Sequence, residues 1–205
     1  MKLNREYSKK RRTRAVLIES ALSLMGEGKS LESLGLREVA RKAELAPAAF
    51  YRHFKDLEDL GLALVEDVST KLRAILREVR KKGLKRTSMD KSINLFFDYM
   101  KSNKILFRFV VREQNGVSSK IRSAIRKELG FFANELAMDL PLGISPAETE
   151  FLSQFVVSTC FGIAGEYLDF GVGSNKNERL LKKKALSRLI LIYRGAYRKK
   201  FEKSN

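Results

Sequence analysis

Residues 47–55 carry the side chains whose types and spacing best suit a chemical role. Tyr51 and His53 can donate hydrogen bonds to phosphate oxygens, and Arg52 can reach either a phosphate or the edge of a guanine base. Lys55 follows closely and adds another cation. Donors of this kind on a short helix are typical of a surface that contacts nucleic acid. The residue types alone leave the choice between base and phosphate open for Arg52.

Small and aromatic residues in the same stretch indicate how such a helix would lie. Pro47 suits the first position of a helix. Ala48 and Ala49 would let that helix approach bases closely and touch thymine methyl groups. Phe50 and Phe54 are four residues apart, so both rings should point to the same side, into the protein. The stretch therefore predicts a short helix with an apolar inner face and an outer face left for DNA or solvent.

Catalytic and metal chemistry is not expected from this sequence. His53 is the one histidine and Cys160 the one cysteine, so no zinc cluster and no triad built on a histidine and a nearby nucleophile can be assembled. A glycine-rich phosphate loop is also missing from the sequence. We expect no enzyme activity and no cofactor, and we expect Cys160 to be a small buried apolar group.

The charge of the chain favours a polyanionic partner. Its 205 residues include 41 Lys+Arg against 24 Asp+Glu, a formal net charge of +17. Lys9, Lys10, Arg11, Arg12 and Arg14 form the dense part of a basic N-terminal arm that can become ordered on phosphates. A solvated tail is the alternative for the arm, and RNA or an anionic membrane would attract the same charge as DNA.

Apolar residues recur at helical spacing along most of the chain, and no convincing alternating strand is present. The pattern predicts an all-α fold with a helix-turn-helix, in which residues 36–43 and 47–54 are short helices joined by a three-residue turn. The predicted helices cover residues 12–26, 36–43, 47–54, 57–82, 89–101, 104–112, 118–138, 146–170 and 177–200, with a polar break at 83–87. The residues expected to contact DNA are Arg12, Arg14, Arg37, Pro47, Ala48, Ala49, Tyr51, Arg52, His53 and Lys55.

Residues 14–64 resemble the DNA-binding domain of the tetracycline-repressor (TetR) family, around the sequence AELAPAAFYRHFKDLEDL. The stretch LREVARKAELAPAAFYRHFKDLEDLGLALVED is especially similar to the repressors of unsaturated fatty-acid biosynthesis within that family. The similarity continues through FRFVVREQNG, IRSAIRKELGFFANELA, EYLDFG and RGAYRKKFE, and so covers nearly the whole chain.

The resemblance implies an architecture and a function. It implies a fold of about nine helices, with residues 1–56 as an N-terminal three-helix DNA-binding domain and residues 57–205 as a C-terminal ligand-binding and dimerisation domain. The last two long helices would pair with their copies in a four-helix homodimer interface. The effector would be a long-chain acyl thioester of coenzyme A or acyl carrier protein, and the target a pseudo-palindromic duplex operator.

The sequence departs from the usual pattern of the family at four positions. Gly35 stands where many members have a serine or threonine before the second helix, which removes a cap and a phosphate contact. Glu44 replaces the usual glycine of the turn, where backbone strain is expected. Ala46 replaces a frequent serine cap. Leu57 replaces a common lysine, whose phosphate role Lys55 is expected to take.

The body is rich in phenylalanine, and a pocket lined by phenylalanine and methionine suits an acyl chain. The candidate ligand-binding residues are Phe96, Met100, Phe107, Arg112, Phe131 and Phe155, with Arg112 beside Glu113 as a polar handle for the thioester. Each aromatic residue is equally consistent with a place in the hydrophobic core, and Arg112 with a structural ion pair.

Other functions remain open on the sequence. The same repressor could respond to a drug or another hydrophobic compound, the charge alone could serve RNA or a membrane surface, and an acyl-thioester enzyme is a further alternative. No apolar stretch reaches the length of a membrane span and no secretory signal is present, so we expect a cytoplasmic protein without membrane insertion.

Overall fold

The computed structural model describes residues 2–81, 86–139, 144–171 and 173–202. Over these residues the structure is helical and contains no strand, which confirms the predicted all-α class. The α-helices are α1 (Lys2–Gly26), α2 (Leu36–Lys42), α3 (Pro47–Tyr51), α4 (Leu57–Arg80), α5 (Arg86–Ser102), α6 (Lys104–Glu113), α7 (Ser119–Asp139), α8 (Pro146–Glu166) and α9 (Asn175–Glu202). The break predicted at 83–87 lies outside the described residues at 83–85 and was wrong at 86–87, because α5 begins at Arg86.

The basic N-terminal arm is part of α1. The prediction that this helix begins at residue 12 was wrong, because the helix begins at Lys2. No glycine or proline interrupts the sequence before Gly26, and lysine and arginine are good helix formers. The high charge density therefore does not interrupt the helix, and the basic arm continues along the axis of α1.

The first three helices enclose a small apolar core. Leu17 and Ala21 of α1, Val39 and Ala40 of α2, and Phe50 of α3 are each 0% exposed. The structure adds a 3-10 turn at Leu31–Ser33 that periodicity did not predict, because three residues are too few to show a repeat. Ser30 and Ser33 cap this turn reciprocally, with Ser30 N–H donating to Ser33 Oγ at 2.9 Å.

Two of the departures have structural consequences at the helix-turn-helix. Gly35 has no side chain to accept from the first N–H groups of α2, but its own N–H donates to Glu38 Oε2 at 3.5 Å, which is the other half of a capping box. Lys29 Nζ lies 2.5 Å from Glu38 Oε1 and lowers the pKa of Glu38. Glu44 adopts a φ of 56°, so the strain expected for this turn residue is present.

The body consists of α4 to α9. Helix α4 packs against α5 and α7, α7 packs against α8, and α9 packs against α5 and α8. Asp56 begins α4, because its Oδ1 accepts a hydrogen bond from the Asp59 N–H at 2.7 Å. The long α4 thus connects the first three helices to the centre of the body.

The prediction of one continuous helix over 146–170 was wrong after Glu166. The chain changes there to a π-helical turn, Tyr167–Gly171. Tyr167 is buried at this turn, with its ring 5.2 Å from the ring of Phe97 and its hydroxyl 3.5 Å from Glu178. These contacts come from distant parts of the chain, so helical spacing could not reveal them.

Candidate nucleic-acid interface and ligand cavity

The outer face of α3 is exposed to solvent as the sequence predicted. Tyr51 is 63% exposed, while Phe50 and Phe54 lie in the core at 0% and 2%. The helix is shorter than predicted, because residues 52 and 53 form a turn in which the His53 and Phe54 N–H groups both donate to the Phe50 carbonyl at 2.9 Å. The predicted contact residues Arg12, Arg37, Pro47, Ala48, Tyr51, Arg52 and Lys55 are exposed, and Arg14, Ala49 and His53 are half-buried.

The basic face of α1 meets the end of α3. The guanidinium of Arg14 lies over the Phe54 ring at 5.2 Å, so this arginine packs against the core as well as presenting charge. Partial burial lowers the pKa of His53, and the positive charges of Lys10, Arg14 and Arg52 lower it further. Lys10 thus belongs to the same basic surface, although the site prediction omitted it because only the fold brings α1 beside α3.

Flanking lysines at this surface differ in how they are held. Lys42 pairs with Glu27 at 2.9 Å and so ties α2 to the end of α1. Lys55 is exposed, and its backbone N–H donates to Asp59 Oδ2 at 3.0 Å, which fixes its position just before α4. Leu57 is half-buried against the core. Lys55 therefore carries the solvent-facing charge at the position where α4 begins, as expected.

A cavity of about 190 Å³ lies inside the body among α4 to α9. Its wall is almost entirely apolar. Two of the six candidate ligand residues, Phe96 and Phe107, are part of this wall. The wall also contains residues that were not among the six candidates, including Leu72, Phe132, Val156, Cys160 and Phe161. Helical spacing marks such residues as inward-facing but does not say which of them leave space between the helices.

The other four candidate ligand residues do not line this cavity. Met100 is fully buried in the closed core, and Arg112 is exposed near the end of α6. Phe131 is 40% exposed, with the Arg73 guanidinium 5.2 Å from its ring, and Phe155 is 53% exposed on α8. Each sits at an apolar helical position whose direction depends on the packing of whole helices.

Cys160 faces the cavity from α8. Its surroundings are apolar, and burial raises the pKa of the thiol to about 12. A protonated thiol is a poor nucleophile at neutral pH, which agrees with the apolar role expected for this residue.

The surface of α8 and α9 carries exposed apolar side chains. Phe151, Phe155 and Leu191 are 67%, 53% and 67% exposed. Segment Pro146–Phe170 is long and apolar enough to cross a membrane by length and composition alone, with 28% of its most apolar window buried, so the prediction that no apolar stretch reaches that length was wrong. Length and composition are weak grounds for a span, and a face of this kind equally suits a protein partner.

Solved structures share this architecture over most of the chain. A transcriptional regulator from Aquifex aeolicus VF5 is 20% identical, with a TM-score of 0.68 over 88% of this chain and 99% of its own. The fatty acid degradation regulator FadR from Bacillus halodurans is 13% identical, with a TM-score of 0.71 over 85% and 94%. FadR from Bacillus subtilis, solved in complex with stearoyl-CoA, is 18% identical, with a TM-score of 0.71 over 85% and 96%.

Fold and site together define a helix-turn-helix unit followed by a helical body with an apolar cavity. Residues 17–64 match the family model of bacterial regulatory proteins, tetR family. This match covers the helix-turn-helix, and the solved structures share the fold of most of the chain.

Proposed function

We propose that this protein is a homodimeric repressor that binds a pseudo-palindromic operator and responds to a long-chain acyl thioester of coenzyme A or acyl carrier protein. The observation that carries the proposal is the position of α4, which begins just after α3 and also forms a wall of the apolar cavity. A change in the cavity therefore has a direct route to the DNA-contacting helix. The genes under control would be those of unsaturated fatty-acid biosynthesis, as the family resemblance implies.

The exposed apolar face of α8 and α9 supports the dimer. Burial of Phe151, Phe155 and Leu191 against a second copy would remove a large apolar surface from water, which stabilises association. The two copies of α3 would then enter successive major grooves about 34 Å apart. The DNA contacts would be made by the residues predicted from the sequence, together with Lys10.

The cavity supports a hydrophobic effector. Its wall is apolar, and the related FadR of Bacillus subtilis was solved with stearoyl-CoA. The volume of about 190 Å³ is below the roughly 300–1,000 Å³ of typical ligand sites. A long acyl chain would therefore widen the cavity and displace helices around it, and it would shift DNA binding by as much as it prefers one state over the other.

Selection of bound duplexes from a random DNA pool tests the proposal, with oleoyl-CoA and palmitoyl-CoA added in parallel. We expect an inverted-repeat operator and an affinity that changes with at least one acyl-CoA. An operator that responds to neither compound would remove the acyl effector but not the repressor. Native mass spectrometry of the purified protein would then reveal a different hydrophobic ligand.

A further inference from the structure

Two charged residues of the cavity wall also connect two helices of the body. Arg80 of α4 and Glu128 of α7 both line the cavity. Arg80 is 9% exposed, and its Nε and Nη2 atoms lie 2.6 Å from Asp139 Oδ2 and 3.2 Å from Glu135 Oε2. An occupant of the cavity that reaches Arg80 therefore meets a group that holds α4 against α7.

These residues belong to a larger set that we call the α4–α7 cluster: Arg73, Arg77, Arg80, Glu128, Glu135 and Asp139. Arg73 pairs with Glu128 and lies 3.5 Å from Glu135, while Arg77 lies 2.6 Å from Glu135. The three arginines share one face of α4, at spacings of four and three residues. Most of these groups are shielded from water, so their pairing is screened less than that of surface ions.

The same two helices are also tied at their DNA-proximal ends. Glu58 of α4 accepts hydrogen bonds at 2.6 Å from both Ser118 and Lys120, at the start of α7. Gly61 lies one turn further on, where an added Cβ would come within 2.7 Å of Leu31 and 2.9 Å of Ile121. Helices α4 and α7 are thus fixed together from the helix-turn-helix to the far end of the cavity.

We propose that Arg80 is a positioning residue through which the occupant of the cavity acts on α4. This inference rests on the proposed function, in which the cavity takes a hydrophobic effector. An oxygen acceptor at one end of the effector competes with Asp139 and Glu135 for the Arg80 guanidinium. Loss of one of these two pairs loosens the end of α4 from α7, and α4 carries the change to α3.

The test compares Arg80→Gln with Arg77→Gln. Both substitutions remove a pair with Glu135, but the Arg77 side chain is 54% exposed and does not line the cavity. Operator affinity is measured by fluorescence anisotropy with and without oleoyl-CoA. The ligand effect is the ratio of the operator Kd values measured with and without oleoyl-CoA. We expect this effect in Arg77→Gln to lie within about twofold of the wild-type effect. In Arg80→Gln it should be at least about fivefold smaller than in the wild type, or absent if the wild-type effect is itself smaller than that. A wild-type ligand effect in Arg80→Gln would overturn the inference.

A ligand-free arm separates failure of this inference from failure of the proposed function. If oleoyl-CoA has no effect on the wild type, the acyl effector is wrong, but the operator Kd of ligand-free Arg80→Gln should still differ from that of Arg77→Gln by at least about fivefold. Equal values would overturn the role of Arg80. Arg80→Lys should restore much of the wild-type behaviour, because it keeps a cation at this position.

Circular dichroism establishes whether each variant folds. Should Arg80→Gln not fold, Asp139→Asn replaces it in both arms, because it weakens the same ion pair from the more exposed partner. The same thresholds apply to it, and a variant with wild-type affinity and a wild-type ligand effect would count against the inference.

Discussion

Arg52 is exposed at the end of α3, and its side chain has no packing role that a substitution would disturb. We predict that Arg52→Ala weakens operator binding by about 1–3 kcal/mol, because a base or phosphate contact is lost. Stability should stay within about 0.5 kcal/mol of the wild type. Arg179→Ala, an exposed arginine on α9, is the control for loss of charge alone. Equal operator affinity for the two variants would place Arg52 outside the interface.

We predict that His53 makes operator binding depend on pH. In the free protein its pKa is lowered from 6.5 by partial burial and by Lys10, Arg14 and Arg52, so the imidazole is neutral at pH 7. A nearby phosphate would raise this pKa in the complex, and binding would then take up a proton. Operator affinity should therefore increase as the pH falls from 7.5 towards 6. His53→Gln should flatten the profile, and an unchanged slope in that variant would exclude His53 as its source.

Glu44 occupies the left-handed region with a φ of 56°, which costs a residue with a Cβ more than it costs glycine. We predict that Glu44→Gly is more stable than Glu44→Ala by about 1 kcal/mol in chemical denaturation. Both variants lose the same charge, so the difference isolates the backbone. Equal stability would mean that the turn stores no strain.

At the scale of helices, Gly61 is a position where α4 passes close to its neighbours. We predict that Gly61→Ala destabilises the protein by about 1–3 kcal/mol, since its Cβ would meet Leu31 and Ile121 at less than 3 Å. Gly130→Ala on α7 is the matched control, because its Cβ would meet nothing within 4 Å. That variant should gain about 0.5–1 kcal/mol from helix propensity. If thermal denaturation showed that Gly61→Ala and Gly130→Ala both stabilise the protein, the close packing at Gly61 would be contradicted.

Helices with strong apolar periodicity could be predicted from the sequence. The extent of a helix and the turns that depend on packing against other helices could not. The stretch around Phe50 and Phe54 predicted the helix-turn-helix because proline, the alanines and the paired rings all act locally. The extension of α1 to Lys2 was missed because charge was taken to favour an irregular arm. The π turn at Tyr167 places its side chain against Phe97, far earlier in the chain, and against Glu178 on the next helix, which local helical spacing does not reveal.

The residues of the candidate site also fall into those that could be predicted from the sequence and those that could not. Exposure of Tyr51 and Arg52 followed from one short helix, whereas the cavity depends on how six helices leave space between them. Phe96 and Phe107 line the cavity, whereas Phe155 is exposed on α8, because the type of a residue says nothing about the direction of its side chain. Arg80 was missed because its partners Glu135 and Asp139 lie on another helix.

For the whole molecule, a net charge of +17 and an exposed apolar face on α8 and α9 serve different partners. The charge attracts DNA from any direction, but a pseudo-palindromic operator can be read only if two copies of α3 are held at a fixed distance. In the proposed dimer, the apolar face would hold the two copies at that distance. Dimerisation and specific recognition should therefore be lost together when this face is made polar.

The most direct measurement is sedimentation of the protein with its selected operator, using the wild type and a Phe155→Glu, Leu191→Glu variant. The wild type should form a complex of two chains per duplex on half-sites about one helical turn apart. The log of its binding constant should fall against log salt with a slope of about −0.9 for each of roughly 6–10 phosphates contacted. The variant should be a folded monomer without specific binding. Specific binding of one wild-type chain to a site without inverted symmetry would contradict the account.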